Sequence, residues 1–338
     1  YGGFDVGYQS ITLAYLSDYN ETKNNKKVSR AIEKMIEFLS NFIHPDSTVG
    51  GEYGSRSTIF FVPFGFANNS RLGNSILNKV FLNPDTKINH SIDDRYICHF
   101  ILPSYLLAIN RLKPNANSNH SLPHETHFVR QFKDAGIFIK SASDYYFIVN
   151  YKKGGVFNLY GKNNQGNIFD SGYVIKDKRK TYVSNWLEKK SSFGINKEKD
   201  ILIINGEFFN VLNKVPTQFF HLSLRILSFF GGQSVLPLLK NLFINRDSKT
   251  GIKFRRNLIF KNRQIEILDR IELKNNILSK NIFMSDSNST FRYVAPSNYY
   301  QDIGLTDSVD FINNLKIDEN KVLYKRVIDI ADFNYNNQ

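Results

Sequence analysis

FIHPDSTVGGEYGSRSTIFFVP, residues 42–63, is the stretch on which the reading of this chain turns. Apolar segments flank it, and between them stand Asp46, Glu52, Tyr53 and Arg56, with consecutive glycines at Gly50 and Gly51 and a third at Gly54. Glycine opens backbone conformations closed to other residues and lets polar groups approach a ligand closely. Loops of this make-up carry function more often than they merely connect. The bland alternative is that Arg56 and Glu52 pair and tie the loop down.

Upstream of it the spacing predicts an amphipathic helix from about Val28 to Ile43, with Val28, Ile32, Met35, Ile36, Leu39, Phe42 and Ile43 on one face. The His44-Pro45 step stops it, because proline disfavours helix in the residue before it. Residues 5–19 place Tyr8, Ile11, Thr12, Tyr15 and Tyr19 at helical steps, a tyrosine stripe. Such stripes usually face a core; for Tyr8, at a helix start beside Asp5 and Gly7, the alternative is a groove. Downstream, a shorter helix is expected around 70–82. Another is expected over 93–112, with Asp93 and Asp94 in its first turn and Pro103 kinking it.

Residues 113–122, KPNANSNHSL, read as a linker. Beyond it the period changes to that of strands: GIFIKS, then YYFIVNYKKGGVFNLY with a hairpin turn at residues 152–155. Further strand-like pieces fall at 172–175, 200–204, 256–260, 264–268 and 323–330, and a helical insertion is expected over 219–243. The expectation is an α+β chain in two domains, helical over 1–120 and antiparallel β over 121–338.

The chain has 338 residues, 41% of them hydrophobic and 14% aromatic, enough for two ordinary domains with real cores. A formal charge of +13 points to an anionic partner: acidic polysaccharide, a membrane surface or, third, nucleic acid. No zinc-finger spacing, RNA-recognition aromatic pattern or long basic amphipathic helix supports the last. The single cysteine, Cys98, excludes an intramolecular disulfide and sits in an apolar run that predicts a buried thiol. No apolar run is long enough to span a membrane. The chain opens at Tyr1 without a leader, which predicts a processed or partial chain with any export signal upstream.

In order, YGGFDVGYQSITLAYL (1–16), FIHPDSTVGGEYGSRSTIFFVPFGF (42–66), FKDAGIFI (132–139) and FDSGYVI (169–175) resemble the C-terminal two thirds of heparinase II/III-like proteins. The resemblance implies a partial α/α toroid joined to an antiparallel β-sandwich, and a periplasmic or extracellular location. It also implies cleavage of uronic-acid-containing acidic polysaccharides by β-elimination. That reaction needs a group to neutralise the sugar carboxylate, a base for the C5 proton and an acid for the leaving oxygen.

Arg56 is the expected carboxylate binder, since its guanidinium fork matches a carboxylate at two points. Tyr8 and Tyr53 are the leading candidates for base or acid, with Tyr15 behind them, and nearby cations are needed to lower a phenol toward neutrality. His44 assists or, alternatively, caps the preceding helix. Glu52, Tyr15, Tyr173, Asn185 and Trp186 complete the expected substrate contacts, Trp186 by stacking on a sugar ring or, in the bland reading, as core.

The chain departs from the family where many relatives carry His-x-His-x-Asp for a metal: residues 150–173 contain no histidine. No metal or other cofactor is therefore expected; His120, His124 and His127 have spacings that could make a weak site, against the reading of a solvated, accidental cluster. Lys152, Lys153, Lys176, Lys178, Arg179 and Lys180 would rim a groove or guard a sheet edge. The second function class is a non-catalytic acidic-glycan-binding or assembly protein of the same fold.

Overall fold

The computed structural model describes residues 3–56, 58–67, 69–81, 102–112, 120–162, 166–177, 180–188, 192–196, 200–211, 249–273, 282–284, 315–318 and 321–330, with isolated positions between 219 and 229. Helices come first. Asp5 caps α1 (Val6–Lys23), its Oδ1 accepting from the Tyr8 amide at 2.9 Å, and Asn24 ends it with φ 45°. Asn25 caps α2 (Lys26–Ser40), which buries Ile32, Ile36 and Leu39.

Two expectations change here. α2 stops three residues short of Ile43, because the Asn41 side-chain amide takes the Glu37 and Phe38 carbonyls at 2.7 and 3.1 Å. Phe42 and Ile43 instead open a small hairpin closed by the Ile43–Val49 bridge. The tyrosine stripe of α1 faces outward: Tyr8, Tyr15 and Tyr19 are exposed, while Val6, Ser10, Leu13 and Ser17 are buried. The helix lies down on its small residues, because Gly65 approaches so closely that a Cβ there would meet Leu13 at 2.6 Å.

α3 (Arg71–Ile76) continues as a π-turn over Leu77–Phe81, and α4 (Leu102–Arg111) carries Pro103 as the second of its described residues. Cys98, residues 93–101 of the expected helix and most of the linker lie outside the described residues. Within the expected insertion, the described positions Phe219, Leu222, Ser223, Arg225, Ile226 and Phe229 are helical and exposed.

Strands β1 (Phe128–Phe132), β2 (Ile137–Ser141), β3 (Tyr145–Asn150), β4 (Val156–Gly161) and β5 (Asn167–Asp170) form a five-stranded antiparallel meander. A nine-stranded sheet follows from β6 (Tyr173–Asp177), β7 (Lys180–Val183), β8 (Ser192–Asn196), β9 (Ile201–Val211), β10 (Lys249–Lys261), β11 (Gln264–Glu272), β12 (Ile282–Met284), β13 (Leu315–Asp318) and β14 (Lys321–Asp329). Its order is β12-β6-β7-β9-β10-β11-β14-β13, with β8 also paired to β9.

Every residue of β3 and β4 is buried, and the two-residue strand period explains where each points. Tyr146, Ile148 and Tyr160 join Ile137 and Ile139 in a cluster with helical residues such as Leu13, Ile36 and Leu39. Tyr145, Phe147, Val149, Phe157 and Leu159 join Leu202, Leu258, Phe260 and Ile267 of the larger sheet. The meander is therefore a middle layer, and the first cluster runs continuously across residue 120.

The inward position of β10 between Phe254 and Leu258 is occupied by Arg256, buried to 1% exposure. It donates to both oxygens of Asp269 at 2.8 and 2.9 Å and to the Gly155 carbonyl at 2.8 Å, and pairs with Asp170 at 3.1 Å. Arg326 of β14 reaches Asp170 at 2.5 Å and Asp269 at 3.1 Å. Burial pushes the Asp170 carboxyl up, but Arg256 and Arg326 override it and hold it below the ordinary carboxylate range. Removing one partner of such a buried set strands the others without solvent. Arg256→Met is expected to cost about 3–5 kcal/mol in denaturant unfolding, whereas Arg255→Met, on the exposed face of the same strand, should stay within about 0.5 kcal/mol.

Candidate functional site

The loop after α2 is shaped by its own polar side chains. Asp46 Oδ1 accepts from the Thr48 amide at 3.1 Å and the Thr48 hydroxyl at 2.6 Å, and Asn167 of β5 holds Oδ2 at 3.1 Å. Having donated to Asp46, the Thr48 hydroxyl accepts from His44 Nδ1 at 2.8 Å, which leaves His44 Nε2 as the acceptor for the Tyr53 hydroxyl at 2.9 Å. Tyr160 stacks on the His44 ring at 4.0 Å between centroids. Gly50 and Gly51 then turn the chain at φ 69° and 127°, and a Cβ on Gly50 would collide with the Thr58 carbonyl.

Both His44 and Tyr53 are fully buried. Burial drives the imidazole down to about 3 and the phenol well above its ordinary 10, so the pair is neutral. The expectation of a phenol lowered by neighbouring cations is not met at Tyr53. Neither is helix capping at His44, since α2 ends at Ser40 with Asn41 as its cap.

Tyr8 and Arg56 do meet. Arg56 Nη1 donates to Tyr8 Oη at 3.1 Å, and its guanidinium carbon lies 5.0 Å from the ring centroid. The approach is built by the backbone beneath them. Asp5 caps α1 with one oxygen and accepts from the Thr58 hydroxyl with the other at 2.8 Å, while the Ser55 amide donates to the Phe4 carbonyl at 2.7 Å. The start of α1 and the end of the loop are thus held side by side, with Tyr8 half exposed and Arg56 half-buried.

The other predicted contacts divide. Tyr15 lies two turns along α1 from Tyr8 and is open to solvent. Glu52 is buried at 1% exposure. Asn185 is buried beside Gly154 and Gly172, and among the described residues neither atom of its amide has a hydrogen-bond partner. Its segment continues to Leu187, which lies against Gly3 next to Ser55. Trp186 stacks on Phe209 at 5.4 Å in a buried cluster and offers no face to a sugar. Tyr173 is likewise interior: its hydroxyl donates to Asp269 at 2.5 Å, and its ring lies among Arg256 and Arg326.

The expected basic rim changes too. Lys176 and Lys180 are exposed, Lys178 and Arg179 lie outside the described residues, and Lys153 is fully buried. Nor is His124 solvated: it is buried against the Ile43 carbonyl and 2.8 Å from Lys79 Nζ. Among the described residues no His, Cys, Asp or Glu group is arranged to hold a metal ion. A cleft of about 420 Å³ lined by Ser75, Asn78, Lys79, Leu122 and Glu125 contains none of the predicted site residues. Of the residues the sequence reading did not single out, Asn150 and Asn158 are polar interruptions of otherwise apolar runs, and that interruption is the signal that marks them, whereas Thr48 stands in the polar run Asp46-Ser47-Thr48, where nothing local sets it apart.

His44 and His124 generate a pH prediction. Burial holds both imidazoles at about 3, against 6.5 in an unfolded chain, with Lys79 adding to the effect at His124. The stability they contribute is complete above about pH 6.5 and is lost as pH falls toward 3, at most about 1.4 kcal/mol per pH unit for each. Urea unfolding across that range should show the slope, and imidazole NMR should show two rings neutral at about pH 4. Comparison with family models, curated proteins and solved structures finds no match to this chain.

Proposed function

We propose that this chain is a polysaccharide-lyase-like protein that cleaves a uronic-acid-containing acidic polysaccharide by β-elimination. The observation that carries the reading is the 3.1 Å contact between Arg56 and Tyr8, side chains drawn together from 48 residues apart at the edge of the glycine loop. A guanidinium in that position binds the uronate carboxylate in fork geometry and withdraws charge from it, which acidifies the C5 proton. The Tyr8 oxygen, ionised, takes that proton; the electron pair forms the C4–C5 double bond, and the C4–O bond breaks with protonation of the leaving oxygen. A phenol that has just gained the C5 proton is placed to return it to the leaving group.

Tyr53 and His44 stand behind the loop in this reading, as its support. Tyr15 extends the contact along α1. The helices are read as part of an α/α toroid and the two sheets as a β-sandwich, an interpretation supported by the apolar cluster that the sheets share. The formal charge of +13 suits an anionic polymer, and the same reading carries a periplasmic or extracellular location.

The alternative of a non-catalytic acidic-glycan binder is favoured by one observation: the second tyrosine and the histidine are sealed in the interior, which leaves Tyr8 as the solvent-facing phenol at Arg56. Incubation with heparin, alginate or other uronate polymers, followed by the ultraviolet absorbance of an unsaturated uronide, separates the two. Lyase action predicts product, with Arg56→Ala and Tyr8→Phe each lowering kcat/KM by about 100-fold or more. Binding alone predicts retention of the glycan without product, weakened by salt and by Arg56→Ala. Full activity of Arg56→Ala removes the assignment.

A further inference from the structure

The turn between β3 and β4 contains a lysine where a soluble protein has reason to avoid one. Lys153 is fully buried, and burial pulls its ammonium below the ordinary lysine value, with the nearby Glu52 and Asp5 charges opposing that shift. A buried charge costs several kcal/mol to desolvate, and an apolar side chain of the same length would fill the space more cheaply. The ammonium is therefore kept for what a methionine cannot do. Its Nζ donates to the Glu52 carbonyl at 2.7 Å and to the Gly54 carbonyl at 2.9 Å. The carbonyl between them, that of Tyr53, accepts from Asn150 Nδ2 at 2.6 Å. Asn150 Oδ1 in turn accepts from the amides of Lys152 and Lys153 at 2.9 and 3.1 Å, so both grips come from one self-braced turn.

We propose that Lys153, with Asn150, is a positioning residue that fixes three successive carbonyls of the Glu52-Tyr53-Gly54 loop and thereby sets Arg56 against Tyr8. The proposal rests on the functional reading above for what Arg56 binds, but not for where Arg56 is held. Arg56 lies two residues beyond the last pinned carbonyl, and the glycines at 50, 51 and 54 widen the conformations open to the loop, which contacts from outside it, those of Lys153 and Asn150 among them, narrow again. Preorganisation of a charged group ahead of binding is what makes it effective in a site.

The test is Lys153→Met in the whole chain, with Lys152→Met as control, since Lys152, in the same turn, points its Nζ to the Asp134 carbonyl instead of to the loop. Native-state cleavage by trypsin after Arg56, located by mass spectrometry, should be about tenfold faster in Lys153→Met than in the wild type and unchanged in the control. Binding of immobilised heparin and alginate should weaken about tenfold, and Lys153→Met should add nothing further to Arg56→Ala, since both act through one group. An unchanged cleavage rate, or additive losses of binding, overturns the proposal. If the wild type binds neither polymer, the functional reading falls while the cleavage rates still decide the role of Lys153. Should Lys153→Met not fold, Lys153→Gln, which retains a donor, reads the same two quantities; failure of both to fold assigns Lys153 to general core stability and overturns the proposal.

Discussion

The turn over residues 151–155 is the point at which the separate layers of this molecule are fastened to one another by polar groups. On one side Asn150 and Lys153 hold the carbonyls of the functional loop. On the other, the Gly155 carbonyl accepts from Arg256 of the larger sheet. The two strands that lead into and out of the turn are buried on both faces, so the turn has little freedom to yield. Apolar layers can slide over one another at small cost, whereas directed hydrogen bonds in a dry interior cannot be displaced without leaving groups unsatisfied. Register between helices, meander and large sheet is thus decided at a few buried polar contacts.

The charged cluster of Arg256, Arg326, Asp170 and Asp269 does for the sheets what Lys153 does for the loop. Asp170 ends the last strand of the meander, while the other three residues stand at inward positions on adjacent strands β10, β11 and β14. Buried charges of this kind are a weak source of net stability but penalise any arrangement in which they are separated. Their presence also explains why Tyr173, an attractive sugar contact by its place in the sequence, is turned inward to Asp269.

The candidate site draws on both layers of constraint. Asp5, which caps α1 and binds Thr58, sets the helix start against the loop end. The neutral Tyr53–His44–Thr48 chain, anchored on Asp46, fills the space beneath the glycines. What faces outward is an arginine on a tyrosine, at a place where the backbone on each side is fixed. A surface pair of this sort would be worth little if both residues sat on mobile chain.

Much of this was legible in the residues themselves. The change of hydrophobic period near residue 120, the hairpin around Lys152–Gly155 and the glycines of the loop follow from local rules of side-chain spacing and backbone freedom, and these depend only on near neighbours. The exposure of the tyrosine stripe, the burial of Lys153, Trp186, Tyr173 and His124, and the meeting of Tyr8 with Arg56 do not follow from such rules. Each is decided by which face of an element a distant segment covers, and a charge such as Arg256 reads as solvated until its partners, 13 and 86 positions away at Asp269 and Asp170, are brought beside it. By itself the sequence determined the elements and the residue types available for chemistry. Only the tertiary structure decided which of them are dry, because desolvation is a property of the layers that close over a residue and not of the residue.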